Sequence, residues 1–206
     1  MSGAGKYVAE AEAVIYRHLY IKGMVRMYKE NKELWRILES TGLKREKLTQ
    51  EGHDFTDREW HTLTQLFQLD EEEDKDILYR ILKKQYEYYK EKEEFSPFPE
   101  HYLQLLFFLT EAERKKGDVD AADEYADEAL EYVILMDMPA QQSTFFFQKF
   151  RNMEVRKKGV MEPEDFKYIR LAYAVEKLFI KDDKVRKMIE LYLSEHYEKD
   201  VLRDIR

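Results

Sequence analysis

The sequence predicts an all-α protein, a single globular bundle of about eight to nine helices over residues 1–206. Apolar residues recur at helical spacing along most of the chain. Only 7 glycines and 4 prolines occur among 206 residues, which is less turn punctuation than β-rich proteins need. No pair of segments shows the polar–apolar alternation of neighbouring strands. No helical repeat of fixed length is present either, which favours a globular bundle over a solenoid.

Composition narrows the class of protein further. The chain has no cysteine, which excludes thiol catalysis, disulfides and iron–sulfur ligation by this chain and favours a reducing cytosol. Its formal net charge of −8 argues against general nucleic-acid binding. No apolar run approaches the roughly 18 residues of a membrane span, and the first residues lack the basic-then-apolar layout of a secretory signal. We therefore expect a cytoplasmic protein.

The first predicted helix runs from about residue 6 to residue 39. Asn31 interrupts its apolar spacing as the cap of a second piece, which carries Trp35 and Leu38, and Gly42 ends it. The polar residues 44–54 are expected to form a loop or a short turn.

Two capping pairs open the next helices. Thr56 and Glu59 form a capping box, in which each side chain satisfies a free amide of the helix start. Asp70 and Glu73 repeat this device before a helix that is predicted to run to about residue 92. Its apolar side includes several large residues, Ile77, Ile81, Leu82, Tyr86 and Tyr89.

The central stretch, Ser96–Asp118, is the most informative part of the chain. Pro97 and Pro99 fix a turn and start a helix, and Gly117 ends it. The run from Leu105 to Leu109 is apolar all round the helix, so it lies either at the centre of the bundle or beside an open groove. Central burial is the favoured interpretation.

Four further helices are predicted after this stretch. Asp118 caps a helix whose apolar stripe includes Val133 and Ile134. Pro139 opens a Phe-rich helix that ends at Gly159, and Pro163 opens one that carries Ile169, Leu178 and Phe179. Asp182 and Asp183 begin the last helix.

No catalytic or metal-binding motif is found. None of the five histidines follows a glutamate by three positions, and no His-Glu-x-x-His occurs, so helical metal sites of those types are not predicted. A Gly-x-Ser-x-Gly motif is also missing, and the only glycine cluster is at residues 3–5. The sequence predicts neither a catalytic residue nor a metal ligand.

Glu100 and His101 allow two interpretations. In the ordinary structural one, Glu100 is a first-turn acid favoured by the helix dipole and His101 is a partly buried imidazole bonded to backbone. In the functional one, they form an acid-plus-acceptor pair at the mouth of an apolar groove, suited to a basic and partly hydrophobic peptide. Tyr86 and Tyr89 either line that groove or pack as ordinary amphipathic residues. The residues alone favour the structural interpretation.

The order of motifs in this region resembles the TorD/DmsD/NarJ family of redox-enzyme maturation chaperones. The family pattern is Pro-(x)-Asp-His before a long helix, then Gly-Asp, and then a helix that ends shortly before a proline. It is similar here at six positions, Pro99, Glu100, His101, Gly117, Asp118 and Pro139. The chain departs from the pattern where Glu100 replaces aspartate and where Leu105 and Phe107 replace acidic residues.

The resemblance implies a TorD/NarJ-like fold and a cytoplasmic chaperone that is not an enzyme and carries no cofactor of its own. Its partner would be the apo catalytic subunit of a molybdenum/iron–sulfur oxidoreductase. The chaperone would bind the twin-arginine signal or N-terminal segment of that subunit until cofactor insertion, and would act as a monomer or a homodimer. The peptide-binding residues implied are Pro99, Glu100, His101, Phe98, Tyr102, Tyr86 and Tyr89.

Two other functions remain open at this point. One is a helical adaptor or scaffold that binds a folded partner through an exposed patch. The other is a ligand-binding bundle with a small apolar molecule beneath the helix of Phe145–Phe147.

Overall fold

The computed structural model describes residues 32–69, 74–92, 99–179 and 184–197. These residues form nine α-helices and contain no strand, which confirms for them the predicted all-α class and a helix number of about eight to nine. Contacts divide the chain into two compact units, Met1–Tyr88 and Tyr89–Arg206, and each is described by itself. The single-domain boundary stays a prediction.

The first unit begins, in its described part, with α1 (residues 32–40). The predicted start of this helix near residue 6 and its interruption at Asn31 lie outside the described residues. The other elements of the unit are α2 (Arg45–Leu48), α3 (Asp57–Leu69) and most of α4 (Lys75–Glu91). Gly42, at φ 91°, ends α1 as predicted, because the Leu43 amide can then donate to the Leu38 carbonyl at 3.2 Å. Trp35 and Leu38 are buried, which confirms their predicted place in the core.

Capping chemistry also starts α3 where the sequence predicts it. The Thr56 amide donates to the Glu59 carboxylate at 2.9 Å, and the Glu59 amide donates to the Thr56 hydroxyl at 3.4 Å. The second predicted pair, Asp70 with Glu73, lies outside the described residues. Asp74 follows it and accepts from the Trp35 indole at 3.2 Å.

The second unit contains five helices joined by short connections. They are α5 (Pro99–Lys116), α6 (Val119–Leu135), α7 (Gln142–Arg156), α8 (Lys167–Phe179) and α9 (Lys184–His196). Pro139 and Pro163 each begin a 3₁₀ turn, Pro139–Gln141 and Pro163–Phe166, that leads directly into α7 or α8. The fixed φ of proline suits this first turn, because its missing N–H has no helical acceptor there.

The ends of α5 match the punctuation of the sequence. The helix begins at Pro99 and ends before Gly117, whose φ of 88° lets the Asp118 amide donate to the Glu113 carbonyl at 3.0 Å. The Asp118 carboxylate then caps α6 by accepting from the Ala121 amide at 3.1 Å. Four of the five residues from Leu105 to Leu109 are buried, so the preference for central burial is confirmed.

Helix α7 packs against both α6 and α8, and its contact with α6 is polar. Lys149, Asn152 and Arg156 contact three acids of α6 in reverse order, Asp127, Asp123 and Asp120. The reversed order means that α6 and α7 run antiparallel. On its other side α7 packs with α8 and α9 around an apolar cluster, Phe150, Phe166, Ile169, Ala172, Ile189 and Leu193.

Three residues assigned to apolar stripes are exposed instead. Ile134 is 68% exposed, and Leu178 and Phe179 are 75% and 56% exposed, so their predicted burial is wrong. Successive helical residues point about 100° apart, so Val133 faces the core and Ile134 turns away. In α8, Glu176 takes the inward position and accepts from the Ser143 hydroxyl, which leaves Leu178 on the opposite side.

Candidate functional site

A cavity of about 260 Å³ lies in the second unit, between the first half of α5 and the start of α7. α5 supplies residues at i, i+3, i+4 and i+7, and the last residue of the Pro139–Gln141 turn together with the start of α7 supplies residues at i, i+3 and i+4. This spacing places each set on one helix face. The lining residues are Glu100, Leu103, Gln104, Phe107, Gln141, Thr144 and Phe145.

The lining combines one carboxylate with neutral polar and apolar groups. Glu100 is exposed at the rim, while Leu103 and Phe145 are buried and form apolar wall. Gln104, Gln141 and Thr144 add amide and hydroxyl groups that can donate or accept hydrogen bonds. Such a site can hold a cation at its rim and apolar atoms at its base.

Glu100 lines the cavity, and His101 does not. Adjacent helical residues diverge by about 100°, and His101 is only 6% exposed and is not among the lining residues. The structure therefore separates the acid at the groove from the imidazole in the interior. Their joint role as an acid-plus-acceptor pair stays a prediction.

Tyr102 belongs to a buried aromatic cluster, away from the cavity lining. Its ring meets those of Tyr89 and Tyr132 edge-on, at centroid distances of 5.9 and 5.0 Å. Its hydroxyl donates to the Glu128 carboxylate. The Lys90 Nζ donates to the same carboxylate, at 3.0 Å from Oε1. Burial raises the pKa of the Tyr132 phenol above its ordinary value. Within the second unit, the cluster holds Tyr89 and Lys90 against α5 and α6.

Two of the three remaining predicted site residues lie in the described part of the chain. Pro99 is the half-buried first residue of α5. Tyr86 is partly buried and belongs to the first unit. Phe98 lies outside the described residues. Peptide contacts by these three side chains stay predictions.

The sequence interpretation missed most of the cavity lining. The sequence does not single out the polar members Gln104, Gln141 and Thr144, because an isolated glutamine or threonine on a helix is usually a solvated residue. Only the spacing of the residues along α5 indicates a shared face. Glu100 and Phe107 are seven positions apart on one face of α5, with Gln104 between them.

A buried polar network also escaped prediction. The Arg114 guanidinium is 7% exposed and donates to the side chains of Gln148, Asn152 at 3.2 Å and Glu111 at 2.9 Å. Burial lowers the pKa of Arg114, against the opposite effect of Glu111. The network joins α5 to α7 about 21 Å along α5 from Glu100, at 1.5 Å per residue. It thereby helps to fix the spacing of the two helices that form the cavity walls.

Other site types find no support in the described ranges. These residues contain no group of three or more histidines, aspartates or glutamates arranged to hold a metal ion. Within the same ranges, no helix is long and apolar enough to cross a membrane.

Comparison with known proteins adds no identification. No protein-family model matches the sequence, and no curated protein or solved structure is significantly similar to it. Function is therefore argued from the geometry of the cavity together with the short motif of residues 99–101.

Proposed function

We propose that this chain binds a basic segment with apolar neighbours in the cavity between α5 and α7. The observation that carries the proposal is the position of Glu100. Among the seven residues that line the cavity, it is the only one with a charge, and it lies at the rim above apolar walls. A lysine or arginine side chain can pair with this carboxylate while its methylene groups or a neighbouring apolar residue contact Leu103 and Phe107.

The size of the cavity sets the scale of the ligand. A volume of about 260 Å³ is smaller than the roughly 300–1,000 Å³ of drug-sized ligand pockets. It suits one or two side chains of a peptide whose backbone runs outside. Gln104 and Gln141 are placed to hydrogen-bond that backbone or the far end of a guanidinium.

The biological role that fits this site is the one implied by the TorD/DmsD/NarJ resemblance. In this proposal the chain is a cytoplasmic chaperone for a molybdenum/iron–sulfur oxidoreductase and performs no chemistry. It binds the twin-arginine signal or N-terminal segment of the apo catalytic subunit until the cofactor is inserted. A twin-arginine segment carries adjacent cations followed by apolar residues, which is the pattern that Glu100 and the apolar walls match.

The test is a calorimetric titration with twin-arginine leader peptides of molybdoenzymes from the same genome, each beside its Lys-Lys variant. We expect one leader to bind, and Glu100→Gln to weaken it by up to about fivefold, because an ion pair at an exposed carboxylate contributes roughly 0.2–1 kcal/mol. Glu195→Gln, at an exposed acid of α9, is the matched control. Unchanged affinity in Glu100→Gln would contradict the proposed site.

His101 provides a second, separable measurement. Because its ring is buried and outside the cavity lining, we expect His101→Ala to lower the free energy of unfolding by about 1–3 kcal/mol. Leader affinity of the folded variant should remain within a few-fold of the original. A loss of affinity without a loss of stability would instead return His101 to the binding site.

The cavity also favours a second candidate function, the binding of a small cationic molecule with an apolar part. Phe145 lines the space, as the ligand-binding alternative requires. Native mass spectrometry of the purified protein would reveal a retained ligand, whose loss in Glu100→Gln would locate it. If neither a leader nor a ligand binds while a folded subunit is retained in a pull-down, the adaptor function replaces both.

A further inference from the structure

Helices α8 and α9 lie side by side on α7 and leave one side of each helix in solvent. Their inward residues belong to the apolar cluster around Phe150 of α7, and they are Ile169, Ala172, Ile189 and Leu193. The Tyr173 hydroxyl donates to the Glu190 carboxylate at 3.0 Å and joins the two helices. The exposed residues on the opposite side, the outer face, are Lys167, Arg170, Leu171, Lys177, Leu178, Lys187 and Leu191. Since both helices pack on α7, both exposed sides point away from it.

Exposed apolar residues are concentrated on these two helices. Of the nine large apolar side chains that are exposed in the described part of the chain, five belong to α8 or α9. Three of the five lie on the outer face, where Leu171, Leu178 and Leu191 are 45%, 75% and 55% exposed. A group of exposed apolar residues with polar neighbours is typical of a surface that contacts another molecule or a membrane.

The outer face is positively charged, although the net charge of the chain is −8. Its four cations are Lys167, Arg170, Lys177 and Lys187. The last three form no ion pair with any residue that the structure describes. The only acid of α8, Glu176, is fully buried, and in α9 Glu190 is half-buried and bonded to Tyr173. Only Glu195, in the last turn of α9, adds an exposed acid beside these cations. The face therefore favours an anionic partner.

A cation and a leucine repeat as neighbours along α8. Arg170 with Leu171 and Lys177 with Leu178 are pairs seven positions apart, about 10.5 Å along the axis at 1.5 Å per residue. The long cationic side chains can reach anionic headgroups while the leucines enter the boundary with the acyl chains. A bilayer offers both chemistries everywhere in its plane, whereas an acidic protein would have to match this spacing with its own carboxylates and apolar residues. We infer that the outer face binds the surface of an anionic membrane.

The acidic helix of the same unit does not oppose this contact. α6 contains no lysine or arginine, and it packs against α7 on the side away from α8 and α9. Packed helices are about 8–10 Å apart, so α7 and the outer layer separate α6 from the bound surface by more than the Debye length of about 8 Å at physiological salt. The inference is also independent of the proposed peptide site, because no residue of α8 or α9 lines that cavity.

The test is co-sedimentation of the full chain with vesicles of phosphatidylglycerol and phosphatidylcholine in equal parts, beside vesicles of phosphatidylcholine alone. We expect binding to the mixed vesicles only, and weaker binding as salt is raised. Each basic residue near an anionic surface strengthens binding about fivefold, so Arg170→Gln with Lys177→Gln should weaken it about 25-fold. Lys44→Gln with Lys158→Gln is the control, since both side chains are exposed and lie outside α8 and α9.

Leu178 allows the apolar part of the contact to be measured. Leu178→Ser should weaken binding to the mixed vesicles at least about fivefold. Val160→Ser is the matched control, because Val160 is 74% exposed and lies outside both helices. In Leu178→Trp, the fluorescence maximum should shift to the blue when mixed vesicles are added. The two natural tryptophans, Trp35 and Trp60, are buried and should not respond.

Circular dichroism confirms that each variant is folded. A wild-type chain that does not bind the mixed vesicles, or that binds phosphatidylcholine alone equally well, overturns the inference. Unchanged binding in Arg170→Gln with Lys177→Gln overturns it too, because the contact then lies elsewhere on the chain. If Leu178→Trp shows no blue shift while soluble polyglutamate binds as tightly as the vesicles, the outer face fits an acidic protein and not a membrane.

Discussion

Removing the buried guanidinium of Arg114 should lower the free energy of unfolding far more than removing the exposed guanidinium of Arg156. In Arg114→Ala, Gln148, Asn152 and Glu111 lose their shared donor inside the protein. Breaking a buried charged pair from one side costs about 3–5 kcal/mol. A third of the Glu111 side chain is exposed, so water replaces part of the lost interaction. We therefore expect a loss near the lower limit, about 3 kcal/mol.

Arg156→Ala is the matched comparison. Arg156 also joins two helices, through Asp120 at 2.7 Å and Asp123 at 2.8 Å, but 38% of its side chain is exposed. Surface ion pairs contribute about 0.2–1 kcal/mol, so its loss should stay below about 1 kcal/mol. Arg114→Met, which keeps most of the apolar stem, separates the lost hydrogen bonds from lost packing.

Urea unfolding followed by far-UV circular dichroism measures these differences, provided that the slope with denaturant is unchanged. Equal losses in Arg114→Ala and Arg156→Ala would refute the reasoning, because burial would then not determine the strength of the interaction. A loss below about 1 kcal/mol in Arg114→Ala would refute it as well.

Two further predictions concern the first unit. Burial raises the pKa of Glu59. Hydrogen bonds with the amide and hydroxyl of Thr56 lower it by more than burial raises it, so the pKa lies below its ordinary value. The resulting stability is present above the unfolded pKa of about 4.3 and is lost as the pH falls through the folded pKa. Over this pH range, the urea midpoint of Glu59→Gln should fall less than that of the wild-type chain. Gly52→Ala would place a Cβ 2.1 Å from that of Tyr88, and we expect it to lower the free energy of unfolding by about 1–3 kcal/mol, against no measurable change for the exposed Gln50→Ala.

Local chemistry made the helix ends predictable from the sequence. Pro99, Gly117 and the Thr56–Glu59 pair act through backbone geometry and neighbouring amides, which involve only residues close in the chain. For that reason α3 begins, and α5 begins and ends, where the punctuation indicated.

Tertiary partners decided what the sequence could not reveal. Arg114 and Glu176 are buried because side chains on another helix satisfy them, and no periodicity within α5 or α8 encodes those partners. Glu100 was identified correctly as an acid in the first turn of α5. The cavity beside it, however, exists only because Gln141 and Phe145, about 40 positions later, approach from the 3₁₀ turn and the first turn of α7.

The arrangement of contacts along α7 links the stability of the bundle to the proposed binding site. From Gln148 to Arg156, this helix is joined by polar side chains to α5, α6 and α9. Its first turn carries Thr144 and Phe145 at the cavity and is joined to α8 through Ser143. The far end of α7 therefore holds α5 at a fixed spacing, and with it the distance between the two walls of the cavity. On this reasoning Arg114→Met should weaken binding at Glu100 through the spacing of the helices, although the two residues are about 21 Å apart along α5.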